Sequence, residues 1–273
     1  MPELPEVEFV RRHLSHWCVG RVVTAVEVLD TGRSYGDAAC LVGHRCAAWT
    51  RRGKLLIGTF DGGTAILSHL AMTGKWVRDP ADRRFQRIRL TFEASDAERP
   101  HQIALVAARR LAQTWFLEAP HVAEHPRVAS LGPELFDPNG LPPSGDALRV
   151  AVGAGRGPVK TRLMDPKRVA GLGNICVVEG AFRAGLHPHR PTTSLRSDDW
   201  DALAAGIHGH IVDTLRFEGD RAEIAYVTQG GDNPFAVYGQ SGKSCPRCQG
   251  PIARETLAGR PTFVCPQCQP KSP

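Results

Sequence analysis

No run of eighteen apolar residues occurs in this sequence, which excludes a membrane-spanning helix of ordinary length. No internal repeat of useful length is present either. The opening Met-Pro-Glu-Leu-Pro-Glu-Val-Glu lacks the positive charge and apolar core of a secretory signal, and so points to a cytosolic chain. Charge is not strongly one-sided: 34 Lys+Arg stand against 28 Asp+Glu, a formal net charge of +6. That excess suits a polyanion partner without requiring one. What is present is ordinary for a folded protein. With 42% hydrophobic and 23% charged residues the chain can bury real cores, and 273 residues favour two domains.

Residues 5–17 predict an amphipathic helix, since Val7, Val10, Leu14 and Trp17 recur at three- to four-residue steps and Gly20 closes the segment. From there to about residue 119 the pattern is one of short strands. Arg87–Glu93 alternates polar and apolar residues, and Leu55–Phe60, Thr64–Leu70, His101–Ala107 and Gln113–Glu118 are further candidates. Such a series suits a sandwich or barrel. Residues 120–145 are rich in Pro and Gly and read as a linker. Beyond them the period is helical. Asn174–Ala184 is entered through Gly171-Leu-Gly173, and the stripe Trp200, Leu203, Ala204, Ile207, Ile211, Leu215 has Ser197 or Asp198 as N-cap. Residues 229–242 are Gly-rich and predict an irregular, mobile loop.

Of eight cysteines, Cys18, Cys40, Cys46 and Cys176 lie in apolar surroundings and read as inert core residues. The others form Cys245-Pro-Arg-Cys248, sixteen residues, then Cys265-Pro-Gln-Cys268, the spacing of a four-thiolate zinc site on a hairpin returning through Phe263-Val264. Two disulfides are the alternative in an oxidised protein. One Zn²⁺ held this way is structural, because four thiolates leave no open coordination position. Two basic runs accompany these elements: Lys243, Arg247, Arg254 and Arg260 around the hairpin, and Arg156, Lys160, Arg162, Lys167 and Arg168 before Asn174. They read either as a nucleic-acid surface or as solvated charge.

At the N-terminus, removal of Met1 would leave Pro2 as a secondary amine with an ordinary α-amino pKa of roughly 7.7–8.0. Such an amine can attack an aldehyde or masked aldehyde, with Glu3, Glu6 and Glu8 as nearby proton donors and acceptors. The plainer reading is a helix start, with Pro in the first turn and acids at the positive pole.

Met1-Pro-Glu-Leu-Pro-Glu-Val-Glu8 together with the terminal four-cysteine unit resembles the bacterial formamidopyrimidine-DNA glycosylase / endonuclease VIII family, on its formamidopyrimidine branch. Arg51-Arg-Gly-Lys54, His69-Leu-Ala-Met-Thr-Gly74, Leu131-Gly-Pro-Glu134, Leu163-Met-Asp165, Gly171-Leu-Gly-Asn-Ile175 and Ala184-Gly-Leu-His-Pro188 agree in order. The resemblance implies an α+β chain: an N-terminal helix plus β-sandwich catalytic domain over 1–122, a linker over 123–145, a helix–two-turn–helix DNA-binding domain over 146–240 and a zinc finger over 241–273. It implies a monomeric, cytoplasmic, nucleoid-associated repair enzyme that binds damaged double-stranded DNA in a basic cleft and does not act at a membrane. Pro2 matches the nucleophile and Glu3 its acid/base partner. Lys54, Asn174 and Arg260 match residues that grip phosphates beside the lesion, and Lys160 a lysine near the flipped nucleotide. The ligands Cys245, Cys248, Cys265 and Cys268 would hold one structural Zn²⁺.

Two departures stand out. The family fills the hole left by a flipped base with a Met, an Arg and a Phe. Here Met72 and Arg110 match, but Ala107-Ala-Arg-Arg-Leu-Ala112 places Leu111 where the Phe would be. Leu111 is either an apolar wedge or simply a core residue. The segment 217–240, which covers an oxidised purine in the family, looks short, and Cys176 replaces the usual Tyr after Gly-Asn-Ile. Oxidised purines, oxidised pyrimidines, ring-opened purines and bulky adducts all stay candidate lesions. The activity implied is base excision with abasic-site lyase chemistry. A non-catalytic damaged-DNA-binding paralogue of the same fold is the alternative, and an RNA-binding zinc-ribbon protein would leave the N-terminal motif unexplained.

Overall fold

The computed structural model describes residues 2–80, 84–93, 99–219, 221 and 233–271. These divide into two compact units: Pro2 with Glu6–Ala129 and Arg221, and Glu3–Pro5 with Ser130–Gly219 and residues 233–271. The chain is α+β, with sheets in the first unit and helices plus a cysteine hairpin in the second.

Helix α1 (Leu4–Cys18) runs one residue past the expected helix at each end. Its stripe Val7, Val10, Leu14 and Trp17 is buried. Strands β1 (Val23–Val28), β2 (Ser34–Tyr35), β3 (Cys46–Arg52), β4 (Leu55–Phe60), β5 (Thr64–His69), β6 (Lys75–Arg78), β7 (Gln86–Phe92), β8 (Gln102–Val106) and β9 (Gln113–Glu118) follow. They form a four-stranded sheet, β1-β7-β8-β6, and a five-stranded sheet, β2-β9-β5-β4-β3. The sheets face one another: Trp49 of β3 meets Trp76 of β6 edge-on at 6.1 Å, and Trp76 Nε1 donates to Ser68 Oγ of β5 at 3.2 Å. Aromatic area and a satisfied indole N–H thus close the sandwich core. Alternation found β4, β5, β7, β8 and β9. It missed β1, where only Val23 is buried, β2, which is two residues long, β3, whose buried Cys46 and Trp49 are three apart, and β6, which is four residues long. None offers a period-2 signal strong enough to read.

Glu8 ties α1 to β3. Its carboxylate takes Arg11 at 2.8 Å, Arg12 at 3.1 Å and Arg51 of β3 at 3.4 Å. Burial pushes the Glu8 carboxyl up, and these guanidinium groups more than offset it, holding the group below the usual range. Glu8 is therefore a scaffold anion, not the proton donor its place near Pro2 implied.

After a 3₁₀ turn and the short helix α2 (Pro126–Ala129), the chain extends to α3 (Gly145–Val152), which Ser144 caps by accepting from the Ala147 N–H at 3.2 Å. Phe136, on the way, is completely buried. Helices α4 (Val159–Leu163), α5 (Asn174–Arg183) and α6 (Ser197–Glu218) build the second core, and the expected α6 stripe is buried throughout. The α6 cap differs from expectation. Ser197 already lies inside the helix, and Asp199 in the first turn accepts the Arg196 backbone N–H at 3.0 Å, the carboxylate half of a capping box. Helices α5 and α6 cross at Gly180, where a Cβ would lie 2.3 Å from Ile207 Cγ1, so only glycine permits this approach. No helix among the described residues is long and apolar enough to cross a membrane.

Strands β10 (Ala253–Leu257) and β11 (Arg260–Val264) pair antiparallel as the terminal hairpin, with Phe263-Val264 in the return strand. Residues 233–242 have no regular structure, yet they do not behave as the loop expected there. Glu179 of α5, fully buried, accepts N–H groups from Ala236, Val237 and Tyr238 at 2.7–2.9 Å, and Val237 is buried. One carboxylate satisfies three consecutive amides, a tertiary contact that a glycine-rich composition hides. Exchanging Glu179 for alanine should destabilise the protein by about 3 kcal/mol, because three N–H groups lose their acceptor. Urea unfolding would measure it. A loss under about 1 kcal/mol would mean that the anchor is dispensable.

Candidate active site and metal centre

Pro2 is buried, and the carboxylate of its neighbour Glu3 is held inside the second unit with 1% of the residue exposed. Glu3 Oε1 accepts the Ile175 N–H at 2.9 Å and Oε2 the Cys176 N–H at 2.8 Å, while the Leu4 N–H donates to Gly171 O at 3.1 Å. The first turn of α5 supplies free amides and a positive pole, so it both orients an anion and offsets its desolvation. Gly173 makes room for it. A Cβ there would stand 2.2 Å from Glu3 Cδ and 2.3 Å from Oε1. The Gly-Leu-Gly entry to α5, read as a helix start, is thus the cradle of Glu3. Gly173→Ala should displace the carboxylate and lower base excision by about 10²-fold, the scale of a lost general acid/base. Its φ of −133° is open to alanine, so the backbone itself should tolerate the change. Single-turnover excision equal to wild type would detach the reaction from this geometry.

Three expected DNA-binding residues, Asn174, Lys160 and Arg260, meet at the β11 end of the hairpin. Asn174 Nδ2 donates to Pro261 O at 3.0 Å, and Lys160 Nζ donates to Pro261 O at 3.1 Å and to Thr262 Oγ1 at 2.6 Å. Arg260 immediately precedes this carbonyl, and Lys160, Met164 and Arg260 line one depression. Burial, followed by the nearby Arg260 charge, lowers the Lys160 pKa to about 8, with Glu3 opposing. Asn174 Oδ1 is buried without a hydrogen-bond partner.

Other members of the basic runs close helices. Arg162 and Arg168 donate to Val152 O at 2.7–3.2 Å, at the C-terminus of α3. Arg247 donates to Phe182 O and Arg183 O at 2.8 Å and lies 4.5 Å over the Phe182 ring, finishing α5. Orphan carbonyls at helix ends attract guanidinium groups. These three cations are therefore structural, and the basic runs are only in part a nucleic-acid surface.

The thiols of Cys245, Cys248, Cys265 and Cys268 all lie within 4.8 Å of one another. Cys245 and Cys268 are 3.9 Å apart and Cys248 and Cys265 3.4 Å, close to the roughly 3.8 Å edge of a tetrahedron with Zn–S bonds of about 2.3 Å. All eight cysteines are free thiols, so the two-disulfide alternative is not adopted. Cys18, Cys46 and Cys176 are buried as expected, whereas Cys40 is half-buried. Burial pushes the Cys46 thiol up to about 12.

In the first unit, Lys54 follows Gly53 in the tight turn from β3 to β4, and Arg51 fixes that turn by donating to Gly53 O at 2.9 Å. Met72 and Leu111 are 36% and 39% exposed, so Leu111 lies outside the core. Arg110, at φ +53°, donates to both oxygens of Asp30 at 2.9 and 3.0 Å and holds the Asp30 carboxyl below its usual range. Asp30 went unnoticed in the sequence, being eighty positions from its partner. Of the 217–240 segment, residues 220 and 222–232 lie outside those described.

Three family models match in chain order: the formamidopyrimidine-DNA glycosylase N-terminal domain over residues 1–114, the H2TH domain of the same enzymes over 136–224, and the zinc finger found in these glycosylases and isoleucyl-tRNA synthetase over 242–271. Together they define the class: a DNA glycosylase of base-excision repair with a helix–two-turn–helix domain and a finger built for one structural Zn²⁺. The formamidopyrimidine-DNA glycosylase of Thermus thermophilus is 31% identical over 280 residues, covering 100% of both chains. The crystal structure of the MutM (Fpg) protein from the same organism superimposes with a TM-score of 0.82 at 30% identity, again over 100% of both. That of the Lactococcus lactis protein bound to DNA containing an oxidized pyrimidine has a TM-score of 0.83 at 28% identity, covering 99% of this chain and 100% of that one. The chain belongs to the formamidopyrimidine-DNA glycosylase family, whose members couple base excision to abasic-site lyase activity.

Proposed function

We propose that this protein removes oxidised or ring-opened bases from duplex DNA through a Schiff base on Pro2, acting as a monomer in the bacterial cytoplasm and away from membranes. The observation that carries the reading is Glu3, buried beside Pro2 and oriented by two amides of α5. The family membership and the DNA complexes of the Lactococcus relative support the substrate class. A damaged base must leave the stack before it can be attacked, and a bent duplex lowers that cost.

The Pro2 nitrogen attacks C1′ with its lone pair, and the C1′–base bond breaks. The base leaves with the bonding pair and is protonated by water, while the Glu3 carboxylate takes the proton released from the Pro2 nitrogen and passes it to the sugar ring oxygen; the ring opens, and an iminium ion joins Pro2 to the sugar. The iminium acidifies the C2′ hydrogen; its removal expels the 3′ phosphate, and a second elimination expels the 5′ phosphate. Water then hydrolyses the iminium and frees Pro2. Lys54, Asn174 and Arg260 place the strand through its phosphates without reading sequence. Lys160 supports that grip from beneath the hairpin, and Met72, Arg110 and Leu111 occupy the gap in the duplex. Cys245, Cys248, Cys265 and Cys268 hold zinc, which stabilises the finger and takes no part in the chemistry. The working domains are 1–122, 146–240 and 241–273, joined by 123–145.

Borohydride reduction in the presence of an abasic duplex should trap a covalent protein–DNA adduct, and strand cleavage should accompany it. Tight binding to the same duplex with neither adduct nor cleavage, from a protein beginning at Pro2, would favour a non-catalytic damage-binding role.

A further inference from the structure

Five arginines of the first unit are neutralised within the fold: Arg11, Arg12 and Arg51 converge on Glu8, and Arg87 and Arg110 on Asp30. Arg127 is different. It is exposed, and no carboxylate among the described residues pairs with it. Two neutral groups hold it instead. Its Nη2 donates to Gln113 Oε1, and its Cζ lies 5.2 Å from the Trp115 ring. Trp115 is braced in turn by Tyr35, stacked at 5.6 Å and 17°, and by His125 at 4.9 Å. A long side chain fixed by an amide and an aromatic face has already lost much of its rotamer freedom, yet keeps its charge and its remaining N–H donors.

The sheet register says where this cation lies. Gln113 of β9 pairs with His69 of β5, and His69 pairs with Leu55 of β4, the residue after Lys54. Neighbouring strands are about 4.8 Å apart, so the Lys54 turn and the Gln113 anchor stand about 10 Å from each other at one end of the sheet, with His69 between. The His69 ring senses both cations: burial, then Arg127, then Lys54, lower its pKa to about 4. Two cations with no carboxylate partner among the described residues thus flank a neutral ring at one end of the sheet, an arrangement that costs repulsion unless an anion arrives.

We propose that Arg127 is a second phosphate-contacting side chain of this unit, taking a DNA backbone phosphodiester next to the one at Lys54. The proposal rests on the reading that Lys54 faces DNA. Guanidinium suits this role because its planar donors match phosphate oxygens.

The test is equilibrium binding to a duplex with a non-cleavable abasic analogue, measured across a salt series for wild type, Arg127→Ala, Arg127→Lys and the control Arg149→Ala. Arg149 is an exposed arginine paired with Asp146 on α3. Arg127→Ala should flatten the log K against log salt slope by about 0.9, one phosphate contact, and weaken binding about three- to tenfold on damaged and undamaged duplexes alike. Arg127→Lys should restore most of the slope, Arg149→Ala should leave it at the wild-type value, and phosphate-ethylation interference should lose one position only in Arg127→Ala. An Arg127→Ala slope equal to wild type, with an unchanged ethylation pattern, overturns the inference and leaves the glycosylase reading standing. A wild-type protein with no salt-dependent affinity for the abasic duplex overturns both.

Discussion

A protein that retains Met1 should form no borohydride-trapped adduct and should lose excision by at least about 10³-fold, because the reaction then lacks its nucleophile. In that protein the Pro2 nitrogen is a tertiary amide. Its lone pair is delocalised into the carbonyl and unavailable for attack on C1′. The free secondary amine, by contrast, has an ordinary pKa of roughly 7.7–8.0 and is partly unprotonated at neutral pH. Pro2 and Glu3 are both buried, so an additional residue must also be accommodated beside a carboxylate already committed to two amides of α5. Mass spectrometry of the N-terminus and trapping on one preparation would check this, and full trapping by the Met1-retaining form would remove Pro2 as the nucleophile. Pro2→Gly keeps an amine but relaxes the ring constraint on φ, and its trapping should fall less than that of the Met1-retaining form.

Removing zinc should have the second large effect. A strong chelator, or Cys265→Ser, should unfold the hairpin and lower affinity for abasic duplex by about 10²-fold or more, since a structural Zn²⁺ contributes on the order of 10 kcal/mol to so short a segment. The consequences reach beyond the hairpin. Val178 and Phe182 of α5 are buried against Val237, Ile252 and Phe263, and Arg247 caps the end of the same helix. Lys160 and Asn174 both donate to Pro261 O in β11, so loss of the hairpin removes an acceptor from each and releases Arg260. Affinity, zinc content and near-ultraviolet dichroism should fall together on chelation. Undiminished DNA binding by the zinc-free protein would show that the hairpin does not hold the phosphate-facing residues in place.

Much of this molecule was readable from local pattern. The α1 and α6 stripes and the Cys-X₂-Cys pairs all declare themselves within a few residues, because helical period, strand alternation and metal-ligand spacing are short-range properties. The site is harder. Pro2 and Glu3 were visible as residue types, but the seat of Glu3 against Gly173 and the first turn of α5 joins positions some 170 apart. Nothing in either segment's periodicity encodes that pairing.

Charge shows the division most clearly. The sequence by itself determined that cations cluster near 156–168 and 243–260, that four cysteines share a metal, and that the N-terminus carries a proline beside a glutamate. Only the tertiary structure decided which cations are committed elsewhere: Arg162 and Arg168 to the end of α3 and Arg247 to the end of α5, while Arg127 is held by Gln113 and Trp115 with no carboxylate partner among the described residues. The reason is physical. A guanidinium finds its partner through space, and the carbonyl, carboxylate or phosphate that claims it is selected by packing between distant segments rather than by neighbours along the chain.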